Sequence, residues 1–154
     1  MGELTDVTKA YEAMNGLFLE DLKVGQSAMF GRTVTEADIA AFAGVSGDTN
    51  PIHLHDGFAR TTRFGQRIAH GMLSGSYIST VIGTKLPGPG AVYISQTMNF
   101  RAPVIIGDTI TAVATVTAID AQRRRVTLKT QCLNGDKVVI DGEATVLVPR
   151  RDAA

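Results

Sequence analysis

The sequence has little of what marks most function classes. Its single cysteine, Cys132, leaves no partner for an intrachain disulfide and no cluster of cysteine zinc ligands. Lysine plus arginine equal aspartate plus glutamate at 15 each, so no broad field gathers nucleic acid or an anionic membrane. No unbroken apolar run reaches the roughly 18 residues of a membrane-spanning helix. The first residues, MGELTDVTKAYEAM, carry acids where a secretory signal needs an apolar stretch. Walker A, G-x-G-x-x-G and G-x-S-x-G patterns are missing, which removes the usual signatures of nucleotide cofactors and of serine hydrolases. There is no internal repeat and no low-complexity segment. These absences describe a soluble, cytoplasmic chain without nucleic-acid or membrane partners.

What is present is an ordinary folding composition, 44% hydrophobic and 19% charged over 154 residues, the size of one domain. Residues 1–16 read as an N-terminal extension with weak helical spacing at Val7, Ala10, Tyr11 and Met14; residues 17–150 read as one domain. Ser27–Val34 alternates as a short strand. Thr35 then has the character of a helix N-cap, with Glu36 and Asp38 suited to the positive end of the helix. Gly44 and Gly47 are expected to end that helix, and Pro51 to keep residues 48–57 out of regular helix by forcing Asn50 from the α region. From about His70 to Lys85, large apolar residues mix with Gly71, Ser74, Gly75, Ser76 and Ser79, as in a helix buried on most sides. Pro87-Gly88-Pro89-Gly90 stops it.

Four strand-like runs follow, Ala91–Phe100, Thr109–Ile119, Arg125–Leu133 and Lys137–Val148, rich in Val, Ile and Thr. Asn134-Gly135 predicts a type I′ hairpin turn, and Arg123–Arg125 a solvated turn. Cys132 falls in an alternating pattern and reads as a small buried hydrophobe. One long helix on an antiparallel meander is an α+β arrangement.

The three histidines and many polar residues crowd into residues 46–79. In a regular helix Asp48 and His53 would point about 140° apart, at roughly 100° per residue. The proline break lets both side chains turn toward one space. A carboxylate there would orient the imidazole, whose ordinary pKa near 6.5 suits acid/base work at neutral pH. The alternative is that Asp48 caps a turn and His53 is a satisfied, half-buried histidine, because Asp-Asn-Pro is also common turn chemistry. Spacing alone leaves both open. His70-Gly71-Met72 opens the long helix, where backbone N–H groups have no internal partner. Glycine there admits a ligand to the backbone, so the Gly71 N–H is a candidate oxyanion donor, unless the glycine serves packing only. His53, His55 and His70 also admit a metal reading, although the spacing lacks the HExxH pattern or cysteines of a strong zinc motif.

Taken together, Ser46-Gly47-Asp48-Thr49-Asn50-Pro51-Ile52-His53, Ala59, Phe64-Gly65 and Ile68-Ala69-His70-Gly71-Met72-Leu73 resemble the MaoC-like dehydratase family. More narrowly they resemble its R-specific enoyl-CoA hydratases. The similarity runs from Phe18 through the sheet, including Gln96–Asp108. It implies a hot-dog fold, a long central helix wrapped by an antiparallel sheet. It also implies a homodimer or higher homo-oligomer and an acyl-CoA substrate, with no metal and no organic cofactor. The catalytic pair of the family falls on Asp48 and His53, its backbone donor on Gly71, and its supporting residues on Asn50 and Ser79. Met72, Val81, Ile82 and Phe100 are the candidates for the acyl pocket. Two local departures are His55-Asp56, where one acidic residue is more usual, and the small, polar Ser74-Gly75-Ser76.

The activity so implied is reversible addition of water across the 2,3 double bond of a short- to medium-chain enoyl thioester. A hot-dog acyl-CoA thioesterase and a non-catalytic acyl-binding hot-dog subunit are the alternatives. D-x-N-P-x-H argues against the first, and the joint presence of Asp48, Asn50, His53 and Gly71 against the second.

Overall fold

Period-2 alternation appears in space as a single five-stranded sheet. Its strands are β1 (Ser27–Thr33), β2 (Val92–Phe100), β3 (Thr109–Asp120), β4 (Arg125–Asn134) and β5 (Lys137–Leu147). The computed structural model describes residues 2–153, with only backbone for 2–5 and 153. Strand order is β1-β3-β4-β5-β2, and every neighbouring pair is antiparallel. The expected meander therefore holds for β3-β4-β5 only, since β2 crosses to the far side of β5. Residues 101–108, with Pro103 and Gly107, form a long connection and not a tight hairpin, which frees β2 from β3. Gly142 of β5 lets β2 come close: a Cβ there would lie 1.9 Å from the Thr97 carbonyl oxygen.

The β4–β5 hairpin also differs in detail. Asn134 pairs with Lys137, so the turn residues are Gly135 and Asp136. Gly135 has φ 59° but Asp136 stays out of the positive-φ region, which is not type I′. Glycine at the first turn position is the mark of type II′.

Thr35 caps α2 (Glu36–Ser46) as expected. Its hydroxyl accepts from Asp38 N–H at 3.2 Å, and the Asp38 carboxylate accepts from Thr35 N–H at 2.9 Å. Gly44 sits inside α2, and Gly47 alone ends it in the left-handed region at φ 78°. Residues 48–57 are more helical than Pro51 suggested. Asn50 does leave the α region, at ψ 126°, but it is the N-cap of a one-turn helix α3 (Pro51–Leu54) with proline at its first position. There the missing N–H costs nothing. A second turn, α4 (Asp56–Arg60), follows.

The central helix α5 (Gly71–Thr84) lies on one face of the sheet. Leu73, Tyr77, Ile78, Val81 and Ile82 pack on the even-numbered residues of β3 and β4, among them Ile110, Val116, Val126 and Leu128. Ala112, Ala114 and Ala144 keep that face low beneath the helix. This is the hot-dog arrangement, α+β. Cys132 lies fully buried in the same layer and donates to the Ser74 carbonyl at 3.3 Å.

The N-terminal segment forms α1 (Gly2–Glu12), whose Val7 and Tyr11 face solvent. Docking begins at Gly16 and Leu17, which donate to the Pro89 and Pro87 carbonyls at 2.8 Å each. Among the described residues no helix is long and apolar enough to cross a membrane.

Candidate active site

The segment between α2 and α3 is a series of local caps. Asp48 N–H donates to Ser46 Oγ at 3.1 Å, Asn50 N–H to Asp48 Oδ1 at 3.2 Å, and Ile52 N–H to Asn50 Oδ1 at 3.0 Å. Asp48 thus caps a turn with one oxygen and leaves Oδ2 free of it. Asn50 is committed to holding α3.

The turn of α3 carries His53 inward, where it is only 7% exposed. Its Nδ1 lies 2.7 Å from the Ile68 carbonyl oxygen, while Ile68 N–H returns a bond to Ile52 O at 3.2 Å. A carbonyl only accepts, so in the neutral ring the proton sits on Nδ1 and Nε2 carries the lone pair. That lone pair faces Asp48 Oδ2 across 3.9 Å. The gap is too long for a direct hydrogen bond, yet a water about 2.8 Å from each atom fits between them. The two arrangements do not exclude each other in space: Asp48 caps a turn, His53 is satisfied at Nδ1, and each still turns a polar atom to a common space.

Two residues hold this pair, His70, which sequence reasoning weighed only as a helix opener and metal ligand, and Arg67, which it did not single out. His70, 2% exposed, stacks on the His53 ring at 3.8 Å between centroids, and its Nε2 lies 2.9 Å from the Asp48 carbonyl oxygen. Arg67 ties three elements together. It bonds Glu36 of α2 through both terminal nitrogens at 2.9 and 2.7 Å, Asp56 of α4 at 2.8 Å and the His53 carbonyl at 3.3 Å. Those bonds, with Glu36 foremost, raise the Arg67 pKa and lower that of Glu36. Asp56, one of the two departures from the motif, is thereby accounted for as an Arg67 partner. No local signal marks Arg67, because Glu36 lies far away in sequence.

The larger cavity, about 460 Å³, is bounded by His70, Gly71, Met72, Ser74, Phe100, Arg101 and the loop 102–104, among others. Gly71 is the first residue of α5, so its N–H has no partner within the helix. The Phe100 ring lies so close that a Cβ on Gly71 would come within 2.7 Å of it. Met72 and Phe100 line this cavity as expected; Val81 and Ile82 do not. They sit at positions of α5 that face the sheet and are sealed in the core. Ser79 is exposed, two turns beyond Gly71, and does not line this cavity. Asp48 and His53 are not in the cavity wall either; His70 stands between them and it.

The metal reading fares poorly on geometry. His55 is occupied elsewhere, with Nδ1 accepting from Phe58 N–H at the start of α4. Donor atoms of Asp48, His53 and His70 do lie within 4.8 Å of one another. However, His53 Nδ1 and His70 Nε2 are already spent on the Ile68 and Asp48 carbonyls, which leaves one nitrogen on each ring.

Comparison with known proteins gives one consistent answer. Residues 21–136 match the family model described as MaoC like domain. An (R)-specific enoyl-CoA hydratase of Rhodospirillum rubrum is 55% identical over 87% of this chain and 93% of its own length. A 3-hydroxybutyryl-CoA dehydratase of Methylorubrum extorquens is 51% identical over 90% of this chain and 88% of its own. The solved R-hydratase PhaJ1 from Pseudomonas aeruginosa superposes with a TM-score of 0.84 at 42% identity, covering 90% of this chain and 89% of that one.

Proposed function

The chain belongs to the MaoC-like domain family, and from that premise we propose that it is an R-specific enoyl-CoA hydratase and 3-hydroxyacyl-CoA dehydratase. The observation that carries this reading is the pair of unspent atoms, His53 Nε2 and Asp48 Oδ2, 3.9 Å apart and packed against His70, the N-cap of α5.

The thioester carbonyl of a short- to medium-chain trans-2-enoyl-CoA accepts from the Gly71 N–H. That bond draws electrons toward oxygen and leaves C3 electrophilic. A water held between His53 Nε2 and Asp48 Oδ2 gives one proton to Nε2 as its oxygen bonds to C3. The π pair moves through C2 to the carbonyl oxygen, where the Gly71 donor stabilises the enolate by about 3 kcal/mol. The proton held by the pair then passes to C2. Water has been added, the pair is restored, and dehydration is the same path reversed. Asn50 keeps Asp48 and α3 in place. Met72 and Phe100, which line the cavity, flank the acyl chain.

The enzyme acts as a homodimer in the cytoplasm. Support for the dimer comes from β2, an edge strand with an unpaired side on which Val92, Ile94 and Phe100 are exposed.

The deciding experiment is hydration of a panel of enoyl-CoAs from crotonyl-CoA upward, followed at the enoyl absorbance, with chiral analysis of the product. Loss of absorbance with an R-3-hydroxyacyl product is expected. An inert protein, or one that releases free CoA from saturated acyl-CoA, refutes the reading in favour of an acyl-binding subunit or a thioesterase.

A further inference from the structure

We propose that His70 is a positioning residue that holds all three parts of the hydration site in register, an inference that rests on the function proposed above. Residues 46–51 are exposed throughout, so the turn that presents Asp48 has little packing of its own to fix it. Its bond into the interior is His70 Nε2–H to the Asp48 carbonyl, at 2.9 Å. The same ring lies between Phe42, 4.9 Å away, and His53, 3.8 Å away, so it sets the plane in which His53 Nε2 points. The peptide bond that follows His70 supplies the Gly71 N–H. One side chain and its own backbone therefore touch the carboxylate turn, the imidazole and the oxyanion donor.

The chemistry of the ring argues for this role over mere filling of space. The Asp48 carbonyl only accepts, so His70 carries its proton on Nε2. Its Nδ1 is then a buried acceptor, and it has no partner. A phenylalanine of similar shape would stack between Phe42 and His53 without burying that atom. What phenylalanine cannot provide is the N–H to Asp48. His53 has the opposite tautomer, with its proton on Nδ1 for the Ile68 carbonyl. The two stacked rings thus each donate to backbone, and only His53 presents a lone pair to Asp48.

Three proteins test this in the crotonyl-CoA assay: wild type, His70→Phe and His70→Gln. Phenylalanine keeps the ring and loses the donor; glutamine loses the ring and keeps an amide N–H near the position of Nε2. His70→Phe is expected to lower kcat about 10- to 100-fold with KM within twofold, because the acyl cavity is intact while Asp48 is no longer held. His70→Gln is expected to recover most of that loss. Full kcat in a folded His70→Phe, or equal losses in both variants, overturns the proposal. Should His70→Phe fail to fold, the tautomers of the wild-type protein decide. Long-range ¹H–¹⁵N imidazole spectra are expected to place the His70 proton on Nε2 and the His53 proton on Nδ1. A His70 protonated on Nδ1 alone refutes the role. An inactive wild type would instead sink the hydratase reading and leave the tautomer result standing by itself.

Discussion

Asp48→Asn separates a catalytic carboxylate from a turn cap, because the two roles use different oxygens. Oδ1 accepts from Asn50 N–H, and an asparagine keeps that acceptor. Oδ2 faces His53 Nε2 at 3.9 Å, and an amide nitrogen there can no longer accept a hydrogen bond from the water between them. The Asp48 side chain is 50% exposed, and exposed ion pairs contribute at most about 1 kcal/mol. For a domain of this size that is a Tm change below about 4 °C. Loss of acid/base assistance costs about 10²- to 10⁴-fold in turnover, or about 2.7 to 5.4 kcal/mol in the barrier. Asp48→Ala removes the cap as well and is expected to lose a further 1 kcal/mol or so of stability, with activity no lower than that of Asp48→Asn. The assay is hydration of crotonyl-CoA beside a thermal melt. If Asp48→Asn keeps activity within threefold of wild type, the carboxylate is only a cap and the proposed mechanism is wrong.

Three further outcomes test the physical account of the fold. The Arg32 hydrogen bond holds the Asp38 carboxyl at about 2, below its ordinary 3.8, and Glu36 is lowered in the same direction by Arg67. Both contribute stability that is complete above about pH 5 and is lost as pH falls toward 2; Asp38→Asn should flatten the fall of Tm over that window, and an unchanged acid limb refutes this. Gly142→Ala places a methyl 1.9 Å from the Thr97 carbonyl and should cost about 1–3 kcal/mol or more. Gly75→Ala meets only the flexible Met98 sulfur, at 2.8 Å, and should cost less; equal melting points would contradict the backbone clash. Burial pushes the Cys132 thiol up to about 12, so the native protein should resist Ellman's reagent at pH 8 and release one equivalent on unfolding. Rapid labelling of the folded chain would show that the core is not closed there.

Much of the site was legible before any coordinates because its chemistry is written in short-range terms. Asp48, Asn50, Pro51 and His53 lie within one turn and its caps, and Gly71 is identified by its place at a helix start. The cap at Thr35 and the stop at Gly47 are likewise set by neighbours a few residues away, through hydrogen bonds and backbone torsions that need no tertiary partner. Pro51 misled for the same local reason: it bars Asn50 from the α region but is well suited to the first position of a helix, and only the chain on both sides decides which effect shows. What the linear order could not contain is contact between residues distant along it. The crossover of β2 to β5 needs the absence of a side chain at Gly142, which pairs with Met98 and lies against the Thr97 carbonyl. Val81 and Ile82 are core and not pocket because of the face that α5 turns to the sheet. Arg67 reaches Glu36, and His70 reaches the Asp48 carbonyl, across the fold. The sequence alone therefore nominated the groups that could do the chemistry, through residue type, local geometry and the motif shared with the family, while spacing by itself left their roles open. Only the tertiary structure decided how they are aimed, since the proton positions on His53 and His70 are set by carbonyls that folding brings to them.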